Sequence, residues 1–576
     1  MQIGLSDLLI IVIYFIIVLL IGVKFSGRAS KNLHEYFVSG RALPWWLAGT
    51  SMVATTFAAD TPLAVTGLVA KHGIAGNWLW WNMVMSGLLT VFLYAKLWHR
   101  AQVLTDVEFT EIRYSGTAAA ILRGFRALYL AVPINSIIMG WVILAMAKIV
   151  TTTTGMDKWP AVIICISVTL AYSVLSGLWG VVITDFFQFF IAIVGAIILA
   201  VIALNSVNGL EGLYLKLDIL KGGNQQILSF IPDVGSVWMP LSAVFVYLAV
   251  NWWATWYPGA EPGGGGYIAQ RIFSAKNEKN GIFATLWFNV AHYAIRPWPW
   301  IITALVSLVT YPDLVDKEVG YVKLIVDILP TGIKGLLLAS FAAAFMSTIS
   351  TQLNWGSSYL VNDFYKRFIN KKADAKHYVF VSRIATVLIL IFGAIATMLM
   401  DSISGAWKFL LALGAGTGLV YILRWYWWRI NAWSEISAML TSLIVSIFLQ
   451  YNLHLSTEDP HEFSLVMLIT VCVSTAVWIC VTFLTKPEHE EVLIEFYKKV
   501  RPAGTLWRAV YEKHNLEVSK DSPKVLFKDW ILGIILVYSF LFGLGKIILG
   551  NFALGALLIF MAITSAFILI HDLKNL

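Results

Sequence analysis

Two stretches decide the reading of this chain: TTFAADTPLAVTG at residues 55–67 and WWATWYPGAEPGGGGYIAQR at residues 252–271. Each interrupts an apolar run that otherwise has the character of one long helix. In the first, Asp60 and Pro62 stand among small and hydroxyl-bearing residues; in the second, two prolines and four consecutive glycines follow Trp252, Trp253 and Trp256. Proline removes a backbone donor and glycine permits dihedrals closed to other residues, so both segments leave carbonyls free to coordinate a cation or a polar solute. The plainer alternative is a structural kink in the first and a re-entrant loop in the second.

The runs around these breaks set the fold class. Of 576 residues, 59% are hydrophobic and 13% charged, against about 45–50% and about 25% in soluble domains. About 20 apolar residues span a bilayer core of about 30 Å, and about fifteen such runs occur, among them 159–177, 183–205 and 405–425. The expectation is an all-α membrane protein of about 15 transmembrane helices. Each break lies in the first helix of a five-helix set, 44–205 and 236–425, as two inverted repeats with equivalent broken helices require. Residues 1–25 are then an extra N-terminal helix, and 429–576 are peripheral helices carrying a polar cytoplasmic linker at 486–528. The stretch EHEEVLIEFYKKV at 488–500 has helical apolar spacing and is expected to be a short surface helix.

The net charge of +8 comes from Lys and Arg dispersed over short loops, which argues against a nucleic-acid surface. Alternate loops hold about two dozen of them and the opposite loops about half a dozen, the asymmetry of cytoplasmic loops. The first run has no basic segment before it and no cleavage site after it, so it is expected to be retained, with the N-terminus outside and the C-terminus cytoplasmic. No Walker loop, dinucleotide fingerprint or HExxH motif appears, nor any nucleophile, base and orienter set, so neither ATP hydrolysis nor enzymatic chemistry is expected. Cys165, Cys472 and Cys480 lie in apolar stretches without metal-ligand spacing and are expected to be packed thiols.

Three further elements carry chemistry. In FAAAFMSTISTQLNWGSS (341–358), Ala344, Ser347, Thr348 and Thr351 share one helix face with Ser350 beside it. Such oxygens suit a hard cation, although a Ser/Thr stripe is equally a close-packing seam. Asp185, in SGLWGVVITDFFQFF (176–190), is an acid inside a membrane run and so a functional candidate, or an interfacial acid that reaches water. Arg296, in HYAIRPWPW (292–300), would meet an anionic solute or Glu261, or satisfy free carbonyls at a proline break. Trp45, Trp46, Trp80 and Trp81 are expected in the interfacial belt, while Trp252, Trp253 and Trp256 are placed to stack on a solute ring.

Taken in order, HEYFVSGRALPWWLAG (34–49), SGLWGVVITDFFQ (176–188), YIAQRIFSAKN (267–277), and AAAFMSTISTQL (342–353) followed by NDFYKRF (362–368) resemble the sodium/solute symporter family of proline, sugar and sialic acid symporters. The resemblance implies a leucine-transporter-type fold of five plus five inverted helices after one extra helix, in a plasma (bacterial inner) membrane. It implies a common sodium site at the Ala58 and Thr61 carbonyls with Ala344, Ser347 and Thr348. A second sodium at Asp185, Ser347, Ser350 and Thr351 is implied as possible. Solute or gate candidates by the same resemblance are Asp60 and Tyr267, to which position adds Trp253, Tyr293 and Arg296. The partners implied are sodium ions, a small organic solute and membrane lipid, with a sugar favoured over an amino acid. VPINSIIMGWV (132–142) lacks the arginine that sialic acid transporters use to pair a carboxylate. The competing expectation is a sodium-linked membrane sensor or a channel with little coupled transport.

Overall fold

Long apolar runs in lipid must satisfy their own backbone polar groups, which favours helices. The computed structural model describes residues 4–29, 33–220, 223–255, 262–400 and 402–574, and among these there is no strand, only the isolated bridges Leu43–Ala275 and Thr255–Ala415. Nine helices in the described residues are long and apolar enough to cross a membrane, or ten counting one bent pair, and Leu5–Val18, Leu241–Ala254 and Ile403–Gly414 are shorter apolar helices.

The bent pair is the first broken helix. Trp45–Thr56 and Asp60–His72 meet at 57°. Phe57 leaves the helical region at φ −84°, ψ 60°, and Asp60 opens the second half. Pro62 falls in the first turn of that half, where its missing N–H would have had no intrahelical partner in any case. The second broken helix runs as Leu241–Ala254, an extended Thr255, and then Gly266–Ser274. Gly263, Gly264 and Gly266 of this break all have positive φ, at 89°, 78° and 55°. Residues 256–261, including Trp256 and Glu261, lie outside the described residues.

At the centre stands Ile333–Ile369, in which every residue from Leu337 to Ser358 is buried. Its alanines, serines and glycine let neighbouring backbones come close. Packed around it are Leu5–Ala29, Gly116–Thr154, Lys158–Ser206 and the first broken helix.

Several expectations need correction. The runs 159–177 and 183–205 form one continuous helix, Lys158–Ser206, because the five residues between them hold no proline or helix-ending signal. The run 405–425 is in turn split into Ile403–Gly414 and Gly418–Tyr426, with Gly416 at φ +92°. Cys472 and Cys480 are exposed on the outer face of their helix and are not packed thiols; the Cys165 side chain is outside the described residues. The linker helix Glu490–Val500 does not lie free on the surface. It buries Leu493, Phe496, Tyr497 and Val500, stacks Phe496 on Trp507 at 5.4 Å, and Trp507 donates to the Trp425 carbonyl at 2.8 Å.

Candidate functional site

Because both breaks face Ile333–Ile369, a cavity of about 110 Å³ is left between them, and Ala58, Asp60, Thr61, Tyr267, Tyr293 and Thr348 are among its walls. Asp60 Oδ1 and Gln352 Oε1 are buried there without a protein hydrogen-bond partner. Buried acceptors are seldom left unsatisfied, so these two oxygens are available to the donors of a ligand or of water. Trp80 stacks on Tyr293 at 5.7 Å and 26°, and Trp141 and Trp407 complete an aromatic enclosure. Rings with a few convergent polar groups are the usual make-up of a small-molecule site.

Thr348 reaches from the central helix to the first break, donating to the Thr55 carbonyl at 2.7 Å and the Ala344 carbonyl at 3.1 Å. Thr61 sits across the break, its Oγ1 donating to the Thr56 carbonyl at 3.4 Å and its N–H to the Ala58 carbonyl at 3.4 Å. Ala58, Thr61 and Thr348 thus share one wall where the bend meets the central helix, with Ala344 one turn before Thr348, while the Ser347 hydroxyl points to Asp185; all five are buried. Neutral hydroxyl and carbonyl oxygens are the kind of ligand that hard cations accept. Among the described residues no group of three or more His, Cys, Asp or Glu side chains is placed to hold a metal.

The second set is only partly assembled. Ser347 and Ser51 donate to the two oxygens of Asp185, while Thr351 Oγ1 lies 3.2 Å from Thr55 Oγ1. Ser350 turns its hydroxyl back to the Ser347 carbonyl at 3.1 Å. Asp185 is fully buried, so the interfacial reading of it does not hold. Arg271, expected among the cytoplasmic-loop cations, is instead buried within Gly266–Ser274 and places its guanidinium in the same cluster: Nε donates to Ser51 Oγ at 3.2 Å, Nη2 to Thr351 Oγ1 at 2.9 Å, and Nη2 lies 3.7 Å from Asp185 Oδ2.

Arg296 stands behind the cavity. It donates to the Val53 carbonyl at 3.1 Å, to Thr56 Oγ1 at 3.3 Å and to His292 Nδ1, over the rings of Phe57 and Trp300. Of the two roles open to it, the contacts match the satisfying of carbonyls at a break. Trp253 is not brought to the cavity; its indole donates to Ala249 in its own helix. Trp80 and Trp81 are buried, unlike Trp45 and Trp46, which are exposed as belt residues are. Thr56, Trp80, Trp141, His292, Gln352 and Trp407 line the cavity without having been singled out for it. For Gln352 a signal existed, since it lies four residues beyond Thr348 on the same face.

The fold is shared with a sodium-coupled sialic acid symporter in a substrate-bound outward-open state, at a TM-score of 0.65 and 18% identity over 84% of this chain and 99% of that one. In sequence the chain is similar to sodium/glucose cotransporter 4 of Danio rerio, 24% identical over 85% of this chain and 80% of that protein. It is also similar to the sodium/glucose cotransporter of Vibrio parahaemolyticus, at 24% over 78% and 86%, and to human sodium/myo-inositol cotransporter 2, at 23% over 85% and 78%. Residues 36–442 match the family model described as the sodium:solute symporter family. This integral membrane chain, whose relatives are transporters and not enzymes, therefore belongs to the sodium:solute symporter family.

Proposed function

We propose that the protein couples inward sodium flow to uptake of a small polyhydroxylated solute, of the sugar or inositol class, across the plasma membrane by alternating access. The observation that carries this is a shared wall: Thr348, Thr61 and Ala58 belong both to the neutral-oxygen cluster and to the cavity that holds Asp60 Oδ1 and Gln352 Oε1, each without a protein partner. Sodium at the Ala58 and Thr61 carbonyls with Ala344, Ser347 and Thr348 would hold the bend in the shape that presents Asp60 to the solute. Asp60 accepts from hydroxyls, and Trp80 and Tyr293 cover the apolar face of a ring. Tyr267 closes the cavity from the second break. Residues 44–205 and 236–425 act as the two inverted repeats, with the N-terminus outside and the C-terminus cytoplasmic. The names of the glucose and inositol cotransporters support the solute class.

The test is thermal stabilisation of the purified protein by hexoses, inositols, amino acids and carboxylates, with sodium and with potassium. Binding to the folded state raises its stability. A hexose or inositol should stabilise in sodium only. Stabilisation by an amino acid alone would overturn the solute class, and equal stabilisation in potassium would overturn the coupling.

A further inference from the structure

The Arg271 guanidinium lies among the oxygens that a second sodium would need. Asp185 comes from Lys158–Ser206, Ser51 from the first broken helix, Thr351 from the central helix, and Arg271 from the second half of the second broken helix. All four are buried, and Arg271 and Asp185 have no exposed side-chain surface. The donors are committed. Ser51 and Ser347 point their protons at the carboxylate, Thr351 accepts from Nη2, and Nη1 is held by Gln270 Oε1 at 2.9 Å. Gln270 is itself fixed, donating to Asn354 Oδ1 at 3.0 Å and to the Phe37 carbonyl at 2.9 Å.

We infer that Arg271 is a tethered cation that takes the place of a second coupling sodium, so that one sodium moves with each solute. This rests on the sodium-site reading above. Asp185 and Arg271 neutralise one another; a sodium ion placed on the same oxygens would leave a buried unit charge without a counter-charge, which is strongly unfavourable. A guanidinium is never deprotonated at physiological pH and makes directed hydrogen bonds that a spherical ion does not. It therefore supplies the charge and the cross-links between four helices, yet it remains with the protein when the solute leaves. The one full negative charge in the cluster is spent on a fixed partner, and only the neutral-oxygen cluster is left for an ion that dissociates.

The experiment counts bound sodium. Equilibrium binding of radiolabelled sodium to the purified full-length protein, without solute, should saturate at one ion per chain, with the affinity lowered at least tenfold by Thr348→Ala. Arg271→Ser should raise the count to two and make binding cooperative, and Arg271→Lys should keep it at one. A count of two in the wild type overturns the assignment, as does a count of one in Arg271→Ser whose binding still responds to Thr348→Ala. Should Arg271→Ser not survive purification, the wild-type count decides: one supports the tethered cation, two overturns it. A wild type that binds no sodium at all sinks the neutral-oxygen site itself, and the role of Arg271 falls with it.

Discussion

Thr348 donates its hydroxyl proton to the main-chain carbonyl of Thr55 across 2.7 Å, joining the central helix to the last turn before the first bend. Removing it leaves a buried acceptor unmade, a cost of about 1–3 kcal/mol, and takes an oxygen from the proposed sodium site. Thr348→Ala should raise the sodium concentration for half-maximal stabilisation about tenfold. Thr348→Ser, which keeps the oxygen, should lie close to wild type. Titration of melting temperature against sodium checks both, and an unchanged midpoint in Thr348→Ala would remove this residue from the site.

In the proposed site Asp60 Oδ1, buried without a protein partner, accepts from the solute, and hydrogen bonds to a charged acceptor are worth about 1.5–3 kcal/mol. Asp60→Asn should weaken solute affinity about 10- to 100-fold. The measurement is uptake into proteoliposomes as a function of solute at saturating sodium. A normal affinity for solute would show that the carboxylate faces only the ion.

Trp80 and Tyr293 form one stacked pair on the cavity wall. Aromatic pairs contribute about 0.5–1.5 kcal/mol beyond buried area, so Trp80→Ala should cost several-fold in solute affinity and Trp80→Phe less. Sodium binding in the absence of solute should be little altered. Equal losses in both would identify a packing defect in place of a contact with solute.

Gly264 has φ +78°, and a Cβ added there would stand 2.6 Å from Thr90 Cγ2. Left-handed backbone costs an L-residue about 1–2 kcal/mol before that clash is counted, and a β-branched side chain suffers more. Gly264→Val should abolish uptake while the protein is still inserted in the membrane, read by uptake against surface labelling. Wild-type kinetics would make the segment a spacer only.

Asp521, in the linker, is bound by Lys96 at 2.8 Å and Arg100 at 3.1 Å. Burial alone would raise its carboxyl, but the Lys96 hydrogen bond and the two positive charges hold it below the ordinary range. A depressed folded-state value means that its contribution is present above the ordinary carboxylate value of about 4 and is lost as pH falls through the folded one. Limited proteolysis within 486–528 should therefore accelerate in acid. Asp521→Asn should show the faster cleavage already at neutral pH, and equal cleavage rates for the two proteins at pH 7 would discount the tie.

The two breaks and the hydroxyl face were legible because their signals are local: proline, glycine and a spacing of three and four residues. Asp60 and Thr348 lie on those signals, whereas Thr61 and Tyr267 were implied by the family resemblance and Tyr293 by position; all five line one cavity. Arg271 was not legible, since an arginine near a helix end reads as a loop charge until tertiary structure brings it to Asp185, 86 positions earlier in the chain. Trp80 was mistaken for a belt residue because hydropathy cannot tell a tryptophan at a membrane surface from one on a cavity wall. The continuous Lys158–Ser206 helix was missed because two apolar runs in sequence are separated by convention where no residue forces a break.

The helix Pro523–Ile548 carries a constraint on biosynthesis. Trp530 donates to the Met85 carbonyl and Tyr538 to the Trp81 carbonyl, across sequence separations of 445 and 457 residues, and Gly533 lies against Phe92. The helix behind the Trp80 wall thus finds Trp530 and Tyr538 only after 445 or more further residues have been made. Until then, the face of Ile74–Ala101 that these residues cover must be shielded by lipid or by an insertion chaperone, and the nascent bundle waits for the helix Pro523–Ile548.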